Sequence, residues 1–380
     1  MLVAANQGAV LRVGILRTSS IGDVVLASAC LTLLSQLDFP VEVVWLGRNP
    51  ALQLLRDAYP GLPVIEVAKD PSIPDLVQQL HGTSFLVDLQ GNWRSRLLAR
   101  AFKKAYGKPT YHAPKAQFQR NRMILEGRML GRRRPLSERA QFPDQTQFQT
   151  MVQTLRTALL RHAPATAHAQ IERLPAAPIL RLPPSPTQRV WEKELQQGVW
   201  LAVAPGASFE TKRAPSTLFI ESLAEAQQKY YEAAGPAAPP LGLVFLGDFT
   251  DRTCAQEISN ALVWQDLTLN LCGELSLTET ARVLHQCQVL LSNDSSLGHI
   301  AEAGGTPVAV LFGPTVEGFG FAPHLPQSRA FSVPLGCRPC SKHGKVPCRF
   351  GDRLCFEQIS RSAVAEFLVQ TFIVAPARSM

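Results

Sequence analysis

Short apolar runs separated by helix-length segments constrain this chain more than any other feature. LRVGIL (11–16), VEVVWL (41–46), PVIEV (63–67) and SFLVDL (84–89) read as buried strands. Between the first two, IGDVVLASACLTLLSQL carries the apolar spacing of one helix. The pattern resumes in VWLAVAP (199–205), LGLVFLG (241–247), DLTLNL (266–271), VLLSN (289–293) and TPVAVLFG (306–313). Strands alternating with helices imply βαβ units and parallel sheets.

A chain of 380 residues is too long for one ordinary core and suggests about two domains. A Pro- and Ala-rich stretch from about Pro164 to Pro186 reads as the boundary. The expected division is α/β throughout: a Rossmann-like domain over 1–180, a second over 181–358, and a closing helix, 359–380, packed back on the first. In open parallel sheets ligands sit beyond the carboxyl ends of the strands. Two such sheets facing each other would bind ligands in the cleft between them.

With 46% hydrophobic and 18% charged residues, the composition is globular rather than disordered. The net charge of +8 suggests an anionic partner: nucleic acid, a phosphorylated substrate or an acidic membrane surface. No run approaches the ~18 apolar residues of a spanning helix. The N-terminus reads as the approach to a first strand, not a signal peptide, so the eight cysteines are expected to be reduced thiols.

The chemistry concentrates where strands end. In SNDSSLGHIAEAGG a greasy run stops at Ser292, and Asn293, Asp294, Ser295 and Ser296 precede an apolar helical pattern. Helix N-termini present unpaired amides and a partial positive charge, which suits phosphate. The same residues suit a plain helix cap, and His299 suits either a ligand contact or a packed core histidine. In VAPGASFETKRAP (203–215) small residues and Ser208 and Thr211 precede Lys212. Such a loop can surround a diphosphate, with lysine as a point charge on the leaving group; a solvated basic loop is the alternative. In FLGDFTDR, Asp248 is a candidate acceptor for ribose hydroxyls or a cap. In LNLCGELSLTE, Gly273 allows close backbone approach to a flat ring.

In the first half, LRTSSIGDVVLAS makes a tight strand-to-helix turn at Ser19, Ser20 and Gly22, with Asp23 in the first helical turn. Asp23 is either a partner of the helix dipole or a general base. The dipole is expected to hold its carboxyl near or below ~3.9, which favours a base over an acid.

Taken in order, RTSSIGDVVLASACLTLL, PGASFETKRAP, NLCGELSLTETARVLHQC and SNDSSLGHIAEAGGTPVAVLFGPT resemble the ADP-heptose:lipopolysaccharide heptosyltransferases, glycosyltransferase family 9. The resemblance runs from about Leu11 to Thr315 and on through CRPC. It implies a GT-B fold, two Rossmann-like domains facing across a cleft. It implies transfer of heptose from ADP-heptose to the lipopolysaccharide inner core, with inversion and with no cofactor needed for catalysis. Residue by residue, Asp23 matches the family's base and Lys212 its diphosphate contact. The run Asn293–His299 matches a donor-binding segment in which Asp294 meets donor hydroxyls and Ser295, Ser296 and Leu297 offer amides to the diphosphate. Ser296 stands where glycine is usual, Gly298 where a larger residue is, and Ala214 where tryptophan is common. Candidate donor contacts are therefore Ser208, Thr211, Asp248, Gly273, Asp294, Ser295, Ser296, Leu297 and His299.

Between Arg94 and Arg139 there are 14 Lys/Arg and two acids, Glu126 and Glu138, so this segment's +12 exceeds the whole chain's +8. The basicity is thus expected to be local to the N-terminal domain. It suits an anionic core-lipid acceptor, with Ser19, Ser20, Arg94, Arg120 and Arg122 as candidate contacts, and a cytoplasmic protein peripheral on the inner membrane. A solvated helical face is the bland reading, and no nucleic-acid motif accompanies the basic run. Cys337, Cys340, Cys348 and Cys355 lie within 19 residues, a spacing compatible with a structural metal, with free thiols or with a disulfide. The rival functions are another nucleotide-sugar transferase of the same family and a noncatalytic nucleotide-sugar or polyanion binder.

Overall fold

The computed structural model describes residues 10–114, 117–131, 146–185, 189–235 and 237–374. It divides into two compact units, one formed by 1–115 with 147–182 and the other by 116–146 with 183–380.

The first unit is a parallel sheet of β1 (Leu11–Leu16), β2 (Val41–Gly47), β3 (Val64–Glu66), β4 (Phe85–Asp88) and β5 (Thr110–His112), in the order β3-β2-β1-β4-β5. In β1, Val13 lies opposite Val43 and Phe85. Val13, Ile15, Trp45, Leu46, Phe85 and Leu86 are all fully buried or nearly so. Consecutive residues are buried because helices cover both faces of a parallel sheet, so apolar side chains are needed on each. The long helix expected after β1 is two helices, Ile21–Ala27 and Ala29–Leu34. They part at Ser28, whose hydroxyl donates to the Val25 carbonyl at 2.7 Å. A serine that bonds back to the preceding turn bends a helix in this way.

The second unit is a six-stranded parallel sheet: β6 (Val199–Ala204), β7 (Leu241–Phe245), β8 (Thr268–Asn270), β9 (Val289–Asn293), β10 (Val308–Leu311) and β11 (Arg329–Phe331), in the order β11-β10-β9-β6-β7-β8. Leu201, Val203, Leu243, Phe245, Leu291 and Leu311 form its core with Phe219 and Leu223 of the helix Ser216–Ala234. Trp200, nearly inaccessible, fills the space that a side chain on Gly242 would need: a Cβ there would meet its ring at 2.6 Å.

Two expectations of the domain plan are corrected. The closing helix, Arg361–Val374, places Val364, Ala365, Leu368, Val369 and Phe372 in the core of the second unit, beside the helix Ser216–Ala234. Its apolar side chains are spent there rather than on the first domain. The described residues 117–131 also belong to the second unit. There the helix Gln117–Leu130 packs Met123 against Val316 and Phe319, and Arg128 Nε donates to the Cys340 carbonyl at 3.3 Å. The described part of the basic run is therefore divided between the units, and its Lys115, Arg132, Arg133, Arg134, Glu138 and Arg139 lie outside the described residues. The Pro/Ala-rich stretch is not simply a linker. It contains the helix His168–Arg173, which buries Ile171 and ties Gln170 Nε2 to Asp38 at 2.7 Å within the first unit. Among the described residues, no helix is long and apolar enough to cross a membrane.

Gly242→Val is expected to force the Trp200 ring from its site at a cost of about 1–3 kcal/mol, the range for overpacking a core. A urea transition followed by tryptophan fluorescence would register this as a lower midpoint; an unmoved midpoint would mean that the space beside Trp200 is not limiting.

Candidate functional site

In the second unit the residue that organises the strand ends is Asn293, the fully buried last residue of β9. Its Oδ1 accepts the amide of Ala214 at 2.9 Å, and its Nδ2 donates to the carbonyls of Pro205 and Gly206 at 2.7 and 3.3 Å. One carboxamide thus clamps both ends of the loop Pro205–Ala214 onto the β9 exit. At Ala214, where the resemblance would put tryptophan, the clamp uses only the main chain.

The clamp brings two sequence candidates together. Lys212 Nζ lies 2.7 Å from Asp294 Oδ2, both side chains mostly buried, and the hydroxyl of Thr315 donates to the same oxygen at 2.7 Å. Arg213 faces the other way and meets Asp251 at 3.1 Å. Burial pushes the Asp251 carboxyl up and the Asp248 charge adds to this, against the Asp248 amide and Arg213, which pull it down. Gly206 and Gly247 leave room for that carboxyl, since a Cβ on either would meet it at 2.2 or 2.6 Å.

The helix Ser296–Ala303 begins immediately after this pair, with Ser295 in extended conformation at its N-cap and making no side-chain cap bond. Its first amides are those of Ser296 and Leu297. Ile300 and Ala301 enter the core, as expected, whereas Leu297 is only half-buried. His299 is buried with its ring 6.1 Å from Phe321. Gly298 leaves ordinary contact distance, 3.6 Å, between a notional Cβ and Ser292 Oγ. Ser208 is exposed, and Thr211 donates its hydroxyl to the Gly344 carbonyl. Asp248 takes the cap role: it accepts from the amide and hydroxyl of Thr250 at 2.7 and 2.6 Å. Gly273 adopts φ +76° and passes so close to Phe249 that a Cβ would lie 2.8 Å from its Cα.

In the first unit Asp23 is held from three sides. Arg17 Nη2 lies at 2.7 Å, and the amide and hydroxyl of Ser20 donate at 3.1 and 2.8 Å. Burial alone would push the carboxyl up. The Arg17 guanidinium, with the Ser20 hydroxyl and amide, outweighs that and holds it below the ordinary carboxylate value. Arg17, itself buried, is the largest of the groups that lower it. Ser19 gives its amide to Gln90 Oε1 at 3.1 Å, as does Thr18 at 2.9 Å. This ties the Asp23 loop to the β4 exit.

Beside it stands a pair that sequence reasoning missed. Asp88, fully buried at the end of β4, accepts from the amides of Gln90 and Gly91 at 3.0 and 2.8 Å and from Ser95 Oγ at 2.8 Å. Its Oδ2 also faces Nδ1 of the half-exposed His112 at 3.1 Å. The only advance signal was the two residues' places at strand ends, and the three-residue β5 was too short to recognise. Arg94 lies 5.2 Å from the Trp93 ring and 3.7 Å from Asp70. Arg120 and Arg122, expected in the first domain, lie in the second unit: Arg120 sits 5.6 and 5.4 Å from the Phe319 and Phe321 rings, and Arg122 pairs with Glu126 at 2.8 Å.

The metal expectation for Cys337, Cys340, Cys348 and Cys355 is not met. Among the described residues no three His, Cys, Asp or Glu side chains come together to hold a metal ion. Burial, and then the neighbouring cysteines, push Cys340 up to about 11. Burial pushes Cys355 up to about 11 as well. The segment is organised instead by buried Arg338, which donates to the carbonyls of Gly313, Phe312 and Thr315 at 2.6, 3.1 and 2.8 Å. A hollow of about 590 Å³ lined by Ile220, Gln227, Tyr231 and Val263 lies at the opposite, amino-terminal edge of this sheet and touches none of these groups.

Two parallel-sheet units in tandem, each with its polar side chains at the carboxyl ends of the strands, have the layout of the GT-B fold class. The profile of glycosyltransferase family 9 (heptosyltransferase) matches residues 74–348, and the chain belongs to that family. A lipooligosaccharide heptosyltransferase 2 of Haemophilus influenzae is 33% identical over 75 residues, 19% of this chain and 22% of that protein. The chain thus aligns with about a fifth of that relative's length. A glycosyl transferase family 9 structure from Veillonella parvula superposes with a TM-score of 0.65 at 15% identity, covering 96% of this chain and 98% of that one. The ADP-heptose lps heptosyltransferase II of E. coli does so with a TM-score of 0.60 at 18% identity, covering 96% and 99%.

Asn293→Ala would leave the buried Ala214 amide and Pro205 carbonyl without partners, a cost of about 1–3 kcal/mol. Amide exchange of Gly206–Ala214 is expected to quicken while β6 and β9 stay protected; equal protection in the variant would refute the clamp. Asp23 predicts an acid-side effect. Because its folded value is depressed, its contribution to stability is present above the unfolded value of ~3.9 and is lost as pH falls through the folded value. The stability gap between wild type and Asp23→Asn should therefore be flat above about pH 5 and shrink at lower pH.

Proposed function

We propose that the chain is an inverting glycosyltransferase that moves heptose from ADP-heptose to a lipopolysaccharide inner-core acceptor. The observation that carries this reading is Lys212 held against Asp294 at 2.7 Å, next to the first free amides of the helix Ser296–Ala303. The family match and the likeness to the ADP-heptose lps heptosyltransferase II of E. coli support it.

In this reading the donor diphosphate takes the Lys212 ammonium and the amides of Ser295, Ser296 and Leu297, and Asp294 accepts from sugar hydroxyls. Asp23, ionised through the neutral range because Arg17 and Ser20 stabilise the carboxylate, removes the proton of the acceptor hydroxyl. The acceptor oxygen forms its bond to the anomeric carbon as the bond to the diphosphate oxygen breaks. ADP leaves with that electron pair, and the configuration inverts. Lys212 and the helix amides meet the charge that grows on the leaving group; donors aimed at developing charge give the largest gains in such sites. Ser19, Ser20 and Arg94 are the acceptor contacts of the first unit. Arg120 and Arg122 can serve an anionic acceptor only from the second. The basic surface would hold the protein against the inner membrane.

The test is a panel of nucleotide sugars with core-lipid acceptors, scored by release of nucleoside diphosphate. ADP-heptose is expected to be preferred; preference for a uridine donor would move the protein to another transferase, and no release with any donor would make it a binding protein. Asp23→Ala should lower turnover by at least the ~10²–10⁴-fold typical of a lost general base and leave ADP binding nearly intact. Wild-type turnover in that variant would remove Asp23 from the mechanism.

A further inference from the structure

The two conspicuous cations of the Pro205–Ala214 loop are already neutralised within the second unit. Lys212 is paired with Asp294 and Arg213 with Asp251. A doubly charged diphosphate needs positive charge beyond these pairs, and the structure holds it in the segment Ser341–Lys345. The amide of Gly344 donates to Ser341 Oγ at 2.9 Å, which closes a tight turn on a buried serine. Gly344 adopts φ +81°, a conformation that favours glycine. A Cβ there would meet Lys212 Cγ at 2.6 Å and Thr211 Oγ1 at 3.0 Å. The turn therefore lies directly on the Lys212 stem, and Thr211 bonds to its carbonyl. Lys345 extends over the Phe209 ring at 5.5 Å. The base of the segment is fixed by the Cys340 amide on the Pro314 carbonyl at 3.1 Å and by Arg128 on the Cys340 carbonyl.

We propose that Lys342 and Lys345 form a second cationic arm of the Lys212 site and that the arm takes a diphosphate. Among the described residues neither lysine has an ion-pair partner. Glu210, the loop's own carboxylate, has no ion-pair partner among the described residues either, and its single charge is less than the two lysines carry. Burial lowers the His343 value first, and the charges of Lys342, Lys345, Lys212 and Arg120 lower it further. Burial and then Arg120 lower Lys342 in the same direction. An anion entering there would relieve that mutual repulsion while Asp294 still neutralises Lys212. The proposal rests on the donor reading for the identity of the nucleotide, not for the binding of the diphosphate.

The test compares the full chain with Lys342→Ala/Lys345→Ala and with Lys342→Arg/Lys345→Arg, titrated calorimetrically with pyrophosphate, ADP and adenosine. Lys345 is exposed and Lys342 half-buried, so the fold should survive, as a melting curve would verify. The alanine pair is expected to bind pyrophosphate and ADP at least tenfold more weakly, with adenosine unchanged and the arginine pair close to wild type. Affinities within twofold of wild type for both diphosphates would overturn the proposal, as would a wild-type chain that binds neither. If wild type binds pyrophosphate but not ADP, the donor reading fails, and the pyrophosphate comparison alone decides the arm.

Discussion

The second unit's strand ends depend on one carboxamide. Asn293 must accept from one main-chain amide and donate to two carbonyls at once. Asparagine carries both functions on a short stem. Aspartate would set a carboxylate against the Pro205 and Gly206 carbonyls, and glutamine would need a deeper site than the end of a strand offers. Because Asn293 is wholly inaccessible, each of its partners would be left unsatisfied without it. The loop it holds carries Lys212, so the position of the one cation that the proposed chemistry most needs is set by a group that never meets substrate.

The charged groups at the strand ends share a second constraint. Arg17 with Asp23, Lys212 with Asp294 and Arg213 with Asp251 are each close pairs of mostly buried side chains. Taking such charges out of water costs about as much as their attraction returns, so these pairs fix geometry more than they add stability. For Lys212 this has a chemical consequence. A diphosphate would exchange one anionic partner for another rather than strip a hydrated lysine, and Asp294 would keep the Thr315 hydroxyl as it does so. For Asp23 the consequence is a carboxylate that stays ionised, at the expense of basicity.

Sequence made the sheet architecture legible because strands buried on both faces are continuous apolar runs. VLLSN and LRVGIL coincide with β9 and β1. It did not reveal β5 and β11, three residues each at the sheet edges, where little apolar side chain is needed. Lys212 and Asp294 were legible as members of strand-exit motifs, but their contact was not. It depends on Asn293, whose role is a long-range bond to Ala214 that local pattern cannot display. Asp88 and His112 were hidden for the same reason: they meet by strand pairing, twenty-four residues apart. The assignment of helix Gln117–Leu130 went astray because charge, not packing, was its visible property. Met123 on Val316 and Phe319 decides where it belongs.

The four-cysteine segment is organised by a buried cation. Cys337 and Cys340 have the spacing of metal ligands, yet the group that gathers the oxygen atoms there is the buried guanidinium of Arg338. Its fork of donors reaches three carbonyls at and beyond the β10 exit, those of Phe312, Gly313 and Thr315. A planar cation with five donors can satisfy several main-chain carbonyls that turn inward where a strand ends. That satisfies the otherwise unpaired ends of β10 and fixes Cys340 against Pro314. From that fixed point the chain has only the turn Ser341–Gly344 in which to reach the Lys212 stem. The placement of Lys342 and Lys345 beside the loop held by Asn293 is thus set by main-chain hydrogen bonding on both sides, and the cationic side chains are free to respond to an anion.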